Sequence, residues 1–447
     1  MIKKKLRFVL PSFLGVLIFL TPIRWDGKLT IGIGIVTGWI KNLMGAYGLH
    51  IVVGLLVITS ILTVLGTALR SDWIHRRAML KDLFDVPRTW LVLRLVGTIF
   101  GLIYLFQIGP ALLASEQIGG AVFLGIGVNS LSIYIGACLL LPLLTDFGFM
   151  EFAGTLARPV FRKVFRLPGR SAIDAVTSFV GSSSIGLLIT IGQYNRGNYT
   201  VRQASVIATN FSIVSIPFCL VVASVSGIEH LFIGWYGIVV LACLTAALIT
   251  PRLPPLSRKA DTLVSGSRQI MPSNMQNSKS LLREAWERAI ERAESAPGPR
   301  AFLETGVTNM MFFAFSVMAA AMALATIAAL ITFHTPLFTW LSYPLITLLE
   351  FARIPDAGAA APALLSGYLD QYMPAIIAAG IDSNMTSFIL AGLSVCQLIF
   401  MSELGVIILR SSLPLSLADL TMIFLLRTVI VLPVLVLGAH LVVGQVS

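Results

Sequence analysis

Ionisable side chains inside long apolar stretches are the first candidates for chemistry in this sequence. Glu403 is the carboxylate that lies deepest in a late apolar stretch, and Arg427 lies in the middle of the next one. Burying an ionised group in lipid is costly, so such residues pair, bind a cation or carry a proton. We expect Glu403 to couple an ion or bind a substrate amine, and Arg427 to bind a carboxylate or pair with Glu403. A surface pair between Glu403 and Arg410 is the alternative.

A cluster of hydroxyl groups follows a glycine in the apolar stretch 172–193, at Gly181-Ser182-Ser183-Ser184. Glycine permits close approach of the backbone, and hydroxyls hydrogen-bond polar ligands. We predict that Ser182, Ser183 and Ser184 contribute to substrate binding, and oxygen atoms here would also suit Na⁺. Packing of serines between helices is the alternative.

A second interrupted apolar stretch, 358–380, contains Ser366, Tyr368 and Asp370 around a glycine. We predict substrate binding by Ser366 and Tyr368, whose ring could stack on a cyclic solute or only pack against neighbours. Asp370 is the second candidate for ion coupling and ranks above Asp174. Hydration at the membrane edge is the alternative for both carboxylates.

Two further apolar stretches, 203–226 and 384–410, carry polar residues near a potential break. Pro217 removes a backbone donor, which predicts an interrupted helix, with a harmless kink as the alternative. The predicted lining residues are Asn210, Ser212 and Ser215 in the first stretch, and Ser394 and Gln397 in the second. We assign all five to the substrate site.

The amino-acid composition indicates the class of protein, and therefore the kind of structural element that holds these residues in place. Hydrophobic residues make up 56% of the 447 residues and charged residues 12%, and the mean hydropathy is +0.88. An ordinary soluble domain carries about 25% charged residues. This excludes a soluble enzyme, a disordered chain and a fibrous protein, and it predicts an all-α polytopic membrane protein. The four cysteines lie in apolar stretches and are expected to be buried thiols, and no catalytic or zinc-binding spacing is present.

Apolar stretches long enough to cross a bilayer predict about nine full transmembrane helices. They are 8–23, 49–69, 89–108, 119–146, 203–226, 229–249, 306–334, 384–410 and 418–443. The stretches 172–193 and 358–380 are predicted to be re-entrant helical hairpins, which enter and leave the membrane on one face.

The distribution of basic residues predicts the orientation. The loop 250–305 alone contains nine lysines and arginines, and 70–88 and 147–171 are also basic. The positive-inside rule places these loops in the cytoplasm only if 172–193 does not cross. We therefore predict a cytoplasmic N-terminus, retained as an uncleaved first span, and a periplasmic C-terminus. The segment 29–46 is predicted to be an interfacial helix.

The second half of the sequence echoes the first at an offset near 182 residues. The segment 208–218 aligns with 390–400, and each copy has the same order of long span, amphipathic segment, hairpin, broken span and final span. Chance similarity between apolar segments is the alternative. The predicted orientation makes the copies inverted, an arrangement typical of secondary transporters with a site near the midplane.

The repeat divides the chain into four predicted regions. They are scaffold helices over 1–118, a first repeat over 119–249, a cytoplasmic loop over 250–305 and a second, inverted repeat over 306–447. Within the loop, 278–294 alternates charges and places Leu282, Trp286, Ala289 and Ala293 on one stripe. This predicts an amphipathic helix that lies on the membrane or caps the bundle.

Several motifs resemble the nucleoside-recognition or Gate domain family, and most closely its YjiH-type bacterial inner-membrane proteins. They are Arg166-Leu-Pro-Gly169, Phe179-Val-Gly-Ser-Ser-Ser-Ile-Gly186, Tyr199-Thr-Val-Arg-Gln-Ala204, Ile207-Ala-Thr-Asn-Phe-Ser212, Met401-Ser-Glu-Leu-Gly405 and Phe424-Leu-Leu-Arg-Thr428. The resemblance covers roughly 120–445. It implies kinship with spore-maturation proteins, the membrane part of ferrous-iron transporters and, more distantly, concentrative nucleoside transporters. The sequence contains no P-loop, so the GTPase-linked arrangement of the iron transporters is not expected.

Together these features predict a secondary active transporter in the bacterial inner membrane. Its expected cargo is a small polar solute such as a nucleoside-like compound, an amino acid or a small peptide, coupled to a H⁺ or Na⁺ gradient. The expected partners are this solute, the lipid bilayer and a second copy of the chain, and we do not expect nucleic acid as a partner. A non-transporting subunit of a larger membrane complex is the main alternative.

Overall fold

Helices dominate the computed structural model, which describes residues 2–25, 28–180, 183–212, 214–264 and 280–444. Six helical runs are long and apolar enough to cross a membrane: Gly32–Ala68, Arg88–Phe106, Glu116–Thr145, Glu229–Arg252, Pro299–His334 and Leu417–Val443. Each of the six overlaps one predicted span, whereas the predicted spans 8–23, 203–226 and 384–410 are not among them, so the count of nine full spans stays a prediction. The prediction of an all-α polytopic membrane protein is thereby confirmed at the level of fold class.

The N-terminal region differs from the prediction. The first span, expected over 8–23, is a helix over Ile2–Phe19 that carries four basic residues. Pro22 lacks the amide hydrogen that a continuing helix needs. The strand Pro22–Trp25 then pairs antiparallel with Lys28–Ile31, in the register Pro22↔Ile31.

The segment 29–46, expected to be an interfacial helix, contributes Lys28–Ile31 to this strand pair and then forms the helix Gly32–Met44. That helix packs on the long helix Glu116–Thr145, where Ile33, Val36 and Ile40 surround Gly136. Gly45 follows at φ +48°, a conformation that favours glycine. The chain then continues helically to Ala68. The short helices Asp72–His75, Ala78–Phe84 and Ala111–Ala114 flank Arg88–Phe106.

The segments assigned to the two predicted repeats contain the following helices. The first half contains Glu116–Thr145, Phe149–Val160, the first hairpin (Ser171–Val180 and Ser183–Asn195), the first interrupted helix (Val201–Asn210 and Ile216–Val225) and Glu229–Arg252. The second half contains Pro299–His334, Leu337–Phe351, the second hairpin (Ala357–Ala360, Ala363–Ser366 and Met373–Ala379), the second interrupted helix (Asn384–Cys396 and Leu404–Arg410) and the terminal helix, Leu417–Val443.

The predicted amphipathic helix is present at Leu281–Glu294 and packs on the bundle through small residues. Ala285, Ala289 and Ala293 are fully buried, whereas Leu282 of the predicted stripe is 60% exposed. The helix lies on Phe149–Val160, where Arg158 Nη1 forms an ion pair with Glu284 at 2.9 Å. Burial acts to raise the pKa of Glu284, but Arg158 and Arg288 outweigh it and hold the pKa below its usual value. The helix therefore caps the bundle, one of the two predicted arrangements.

All four cysteines are free thiols. Cys219, Cys243 and Cys396 are buried as predicted, and Cys138 is partly buried. The sulfur atoms of Cys243 and Cys396 lie 3.6 Å apart, which places Glu229–Arg252 directly against the end of Asn384–Cys396.

Candidate functional site

Both interrupted helices break near the residues that the sequence singled out. The first helix ends at Asn210 and restarts at Ile216, with Pro217 in its first turn, where a missing amide hydrogen costs nothing. The second ends at Cys396 and restarts at Leu404. Ser212 and Ser215 lie buried in the first break, as predicted.

The second break lies about one helical turn later than the repeat offset predicts. Ser394 is therefore still helical, and its hydroxyl donates to the carbonyl of Gln371. Gln397 begins the break, and Ser402 and Glu403 belong to it. The prediction that Ser394 lines the break is wrong, because the helix continues to Cys396.

Arg427 joins the ends of the two interrupted helices. Its side chain is fully buried. It donates to the carbonyl of Cys396 from Nη2 at 2.6 Å and Nε at 3.0 Å, and to the carbonyl of Gln397 at 3.2 Å. It also donates to Asn210 Oδ1 at 2.8 Å and the carbonyl of Thr209 at 3.5 Å. A cation is stabilised at such C-terminal carbonyls because helix dipoles point their negative ends there.

These bonds correct two predictions for Arg427. Within the described residues it forms no ion pair with Glu403 or any other carboxylate. Most of its donors are already used by backbone and amide oxygens, so it is not free to act as the substrate-binding residue we expected. Asn210 is likewise engaged, since its oxygen accepts from Arg427 and its nitrogen donates to the carbonyl of Val206 at 3.3 Å. Both residues hold the site together.

Gln397 connects the second break to the second hairpin and the terminal helix. Its Nε2 donates to the carbonyl of Leu364 at 2.8 Å and to Thr428 Oγ1 at 2.9 Å. Its Oε1 is buried without a partner in the described part of the chain, as are Ser366 Oγ and Gln371 Nε2. Buried polar atoms are nearly always hydrogen-bonded, so unpaired ones require an explanation. These three atoms are available to a polar solute, an ion or water.

Glu403 lies where the first hairpin meets the second break. Its Oε1 accepts a short hydrogen bond from the hydroxyl of Ser184. Glu403 is exposed, although many protein atoms surround its carboxylate. Among the described residues it has no basic partner, so the alternative surface pair with Arg410 is not formed. Ser183 begins the second helix of the hairpin, and Ser182 lies outside the described residues.

The second hairpin binds the same break through its backbone. The amide of Met401 donates to the carbonyl of Tyr368 at 2.8 Å, and the amide of Ser402 donates to the carbonyl of Leu369 at 3.0 Å. Asp370 is 6% exposed and accepts from the amide of Tyr372 at 2.9 Å. Because Ser402 and Glu403 are consecutive, this pairing brings the region of Asp370 close to Glu403. Both predicted ion-coupling residues therefore lie in one region.

The side chains of Tyr368 and Asp174, the remaining aromatic and acidic candidates, contact residues outside the second break. The Tyr368 hydroxyl lies 2.6 Å from Thr421 Oγ1, and its ring packs on Phe424 at 5.0 Å, so it contacts the terminal helix rather than offering a free stacking face. Asp174 accepts from the Tyr199 hydroxyl at 2.5 Å. Asp174 and Tyr199 are 25 residues apart, and both are distant from Glu403 in the sequence.

Sequence reasoning missed several polar residues of this region. Gln371 follows Asp370 in the sequence, and Thr428 follows Arg427. Their position next to predicted site residues could have indicated them. The Tyr372 hydroxyl lies 3.4 Å from Ser130 Oγ on the long helix Glu116–Thr145, a contact that no local pattern indicates. No group of three or more histidine, cysteine, aspartate or glutamate residues lies together in the described ranges. Oxygen atoms of Ser366 and Gln397 would be the ligands for a cation such as Na⁺.

Comparison with known proteins supports the resemblance seen in the motifs. The sequence profile of the Gate family, described as "Nucleoside recognition", matches residues 128–229, which include the first hairpin and the first interrupted helix. An uncharacterized protein of Alkalihalophilus pseudofirmus is 44% identical over 436 residues, which are 98% of this chain and 94% of that protein. The chain belongs to the Gate family. No solved structure matches it significantly.

Proposed function

We propose that this Gate-family protein is a secondary active transporter that moves a small polar solute across the bacterial inner membrane. A nucleoside-like compound, an amino acid or a small peptide is the expected cargo, and a H⁺ or Na⁺ gradient the energy source. The description of the family and the paired interrupted helices support this proposal. We do not expect enzymatic activity or binding of nucleic acid.

The repeated order of helices supports a transport architecture of two inverted copies. In this proposal both hairpins are re-entrant and face each other across the bilayer centre. The N-terminus and the loop 250–305 are cytoplasmic, and the C-terminus is periplasmic. Residues 1–118 form the scaffold, and 119–249 and 306–447 form the two copies, which move against it. A second copy of the chain would contact the scaffold.

The solute site lies between the hairpins and the second break. Ser183, Ser366 and Gln397 would hydrogen-bond the solute, with Ser212 and Ser215 on the opposite break. Glu403 and Asp370 would carry the proton or contact Na⁺. Arg427 would position both breaks and not touch the solute.

One observation carries the proposal: Glu403 has an accessible face, lacks a basic partner in the described residues and accepts from Ser184 of the opposite repeat. A carboxylate in that position changes its partner when the hairpins separate or when it is protonated. Its protonation or ion binding is thereby linked to the contact between the two halves.

The test is uptake into proteoliposomes across an imposed pH or Na⁺ gradient, with a panel of nucleosides, amino acids, small peptides and organic acids. We expect saturable, gradient-dependent uptake by the wild type. Glu403→Gln should reduce it about tenfold or more, since a charged hydrogen bond and the ion site are lost. Glu350→Gln, a matched change at an exposed residue of Leu337–Phe351, should retain uptake.

The outcomes separate the alternatives. Uptake that persists undiminished in Glu403→Gln would remove this residue from the mechanism. Absence of any uptake by folded wild-type protein across the panel would favour the non-transporting subunit. Non-saturable flux that does not depend on the imposed pH or Na⁺ gradient would indicate a channel.

A further inference from the structure

A cavity outside the proposed transport site opens at the start of the terminal helix. Its volume is about 600 Å³. It lies between this helix and the loop after Glu229–Arg252, and it is lined by Leu253, Pro254, Pro255, Arg258, Lys259, Ala418, Asp419, Met422 and Leu426. The two helices pack antiparallel, with Gly234 against Val442 and Gly438 against Ile238. The cavity is therefore at the end of this pair where one helix ends and the other begins.

The polar part of the cavity carries excess positive charge. Lys259 Nζ lies 2.8 Å from Asp419 Oδ2 and donates to the carbonyl of Pro414 at 2.7 Å, so these two charges neutralise each other. Arg258 is exposed and forms no ion pair within the described ranges. The exposed Arg252 uses its donors on the carbonyls of Leu248 and Val164 and keeps its charge. The local field therefore favours an anion.

The remaining wall of the cavity is apolar and continues along the outside of the bundle. Met422 is 50% exposed, and Leu425 and Val429 on the same helix are 39% and 65% exposed. Leu244 and Ile249 of the neighbouring helix are each 40% exposed. Both helices belong to the six that are long and apolar enough to cross a bilayer, so we expect these exposed apolar side chains to face acyl chains.

We propose that this cavity binds the head group of an anionic phospholipid. The phosphate lies at Arg258 beside the neutralised Lys259–Asp419 pair, and an acyl chain follows Met422 and Leu426. Basic pockets between membrane helices near the bilayer surface suit such head groups. A free phosphate would use the charged part of the cavity alone, whereas a lipid uses the charged and the apolar parts together. The site is independent of the transported solute.

The test is native mass spectrometry of the full-length protein, titrated with phosphatidylglycerol or with phosphatidylcholine of the same acyl chains. We expect phosphatidylglycerol to be retained in preference. Arg258→Gln should weaken its binding about fivefold, the effect of removing one basic residue near a lipid head group. Arg300→Gln removes an equal charge from a residue that is paired with Glu304 on its own helix and should leave binding unchanged.

A second variant and a competitor complete the test. Met422→Gln should weaken binding by making the acyl wall polar, and chromatographic elution and helical circular dichroism should show that each variant is folded. Equal retention of both lipids, or unchanged binding in Arg258→Gln, would overturn the proposal. Displacement of the lipid by millimolar inorganic phosphate would identify a site for free phosphate instead.

Discussion

Two buried arginines, Arg94 and Arg427, are stabilised by neutral oxygen acceptors, and neither forms an ion pair with a carboxylate among the described residues. Arg427 uses the carbonyl ends of two helices, and Arg94 donates to the carbonyl of Leu83 at 2.9 Å, to Thr63 Oγ1 at 2.8 Å and to Ser316 at 3.0 Å. Each arginine joins segments that are far apart in the sequence. A long, permanently charged side chain with five donors suits this task, because it satisfies several backbone acceptors at once.

Replacing Arg427 tests this structural role. Arg427→Met replaces the guanidinium group with an apolar side chain of similar length and leaves three acceptors without this donor, namely the carbonyls of Cys396 and Thr209 and Oδ1 of Asn210. We expect a loss of at least about 3 kcal/mol in unfolding free energy, since each buried unsatisfied group costs about 1–3 kcal/mol. Thermal unfolding of the purified protein in detergent measures the change.

The control for this prediction is Arg300→Met, because Arg300 is 93% exposed and pairs only with Glu304 on its own helix. It should stay within about 0.5 kcal/mol of the wild type. An Arg427→Met protein with wild-type stability would show that the two helix ends are held by other contacts.

At the scale of elements, the position of the amphipathic helix Leu281–Glu294 depends on close backbone approach. Gly148 adopts φ +99° and leaves no room for a Cβ atom, which would collide with the backbone of Ala289. The aromatic contact between Phe8 and Trp286, with ring centroids at 5.3 Å, holds the N-terminal helix to the same surface. The capping helix thus joins Ile2–Phe19 to Phe149–Val160.

Gly148→Ala should displace the helix Leu281–Glu294. A left-handed φ alone costs an alanine about 1–2 kcal/mol, and the collision with Ala289 adds to this. The matched control is Gly197→Ala, because Gly197 has φ +71° but open space around it. Hydrogen–deuterium exchange should rise in 281–294 for Gly148→Ala only. Unchanged exchange in 281–294 for Gly148→Ala would mean that this contact does not determine the position of the helix.

At the scale of the whole molecule, the proposed inverted arrangement predicts which loops share a side of the membrane. Arg196, Arg300 and Arg353 are exposed, so each can be replaced by cysteine without disturbing the core. We expect Arg196→Cys and Arg300→Cys to react with an impermeant maleimide only after the cell membrane is opened, and Arg353→Cys to react in intact cells. The wild type, whose thiols are buried or partly buried, provides the background.

This labelling pattern depends on the first hairpin being re-entrant. If 171–195 crossed the membrane, Arg196 would be labelled in intact cells and the loop 250–305 would change sides. The copies would then not be inverted, and the proposed facing of the two hairpins would be lost.

The sequence alone determined the features that depend on local pattern. Hydropathy gave the long helices, Pro217 predicted the first break, and charge alternation predicted the helix at Leu281–Glu294. These follow from residues within one or two turns of each other, because burial in lipid and the missing proline donor act locally.

Tertiary structure decided which groups meet. Ser184 and Glu403 are 219 residues apart, and Arg427 reaches Asn210 across 217 residues. The second break begins at Gln397 although no glycine or proline occurs over 393–404, and at this point Arg427 and Thr428 bond to Cys396 and Gln397. Arg427 and Asn210, which could have bound a solute, instead form hydrogen bonds at the ends of the interrupted helices. Only the packing of distant segments determines whether a polar group is satisfied by the protein or remains available to a ligand.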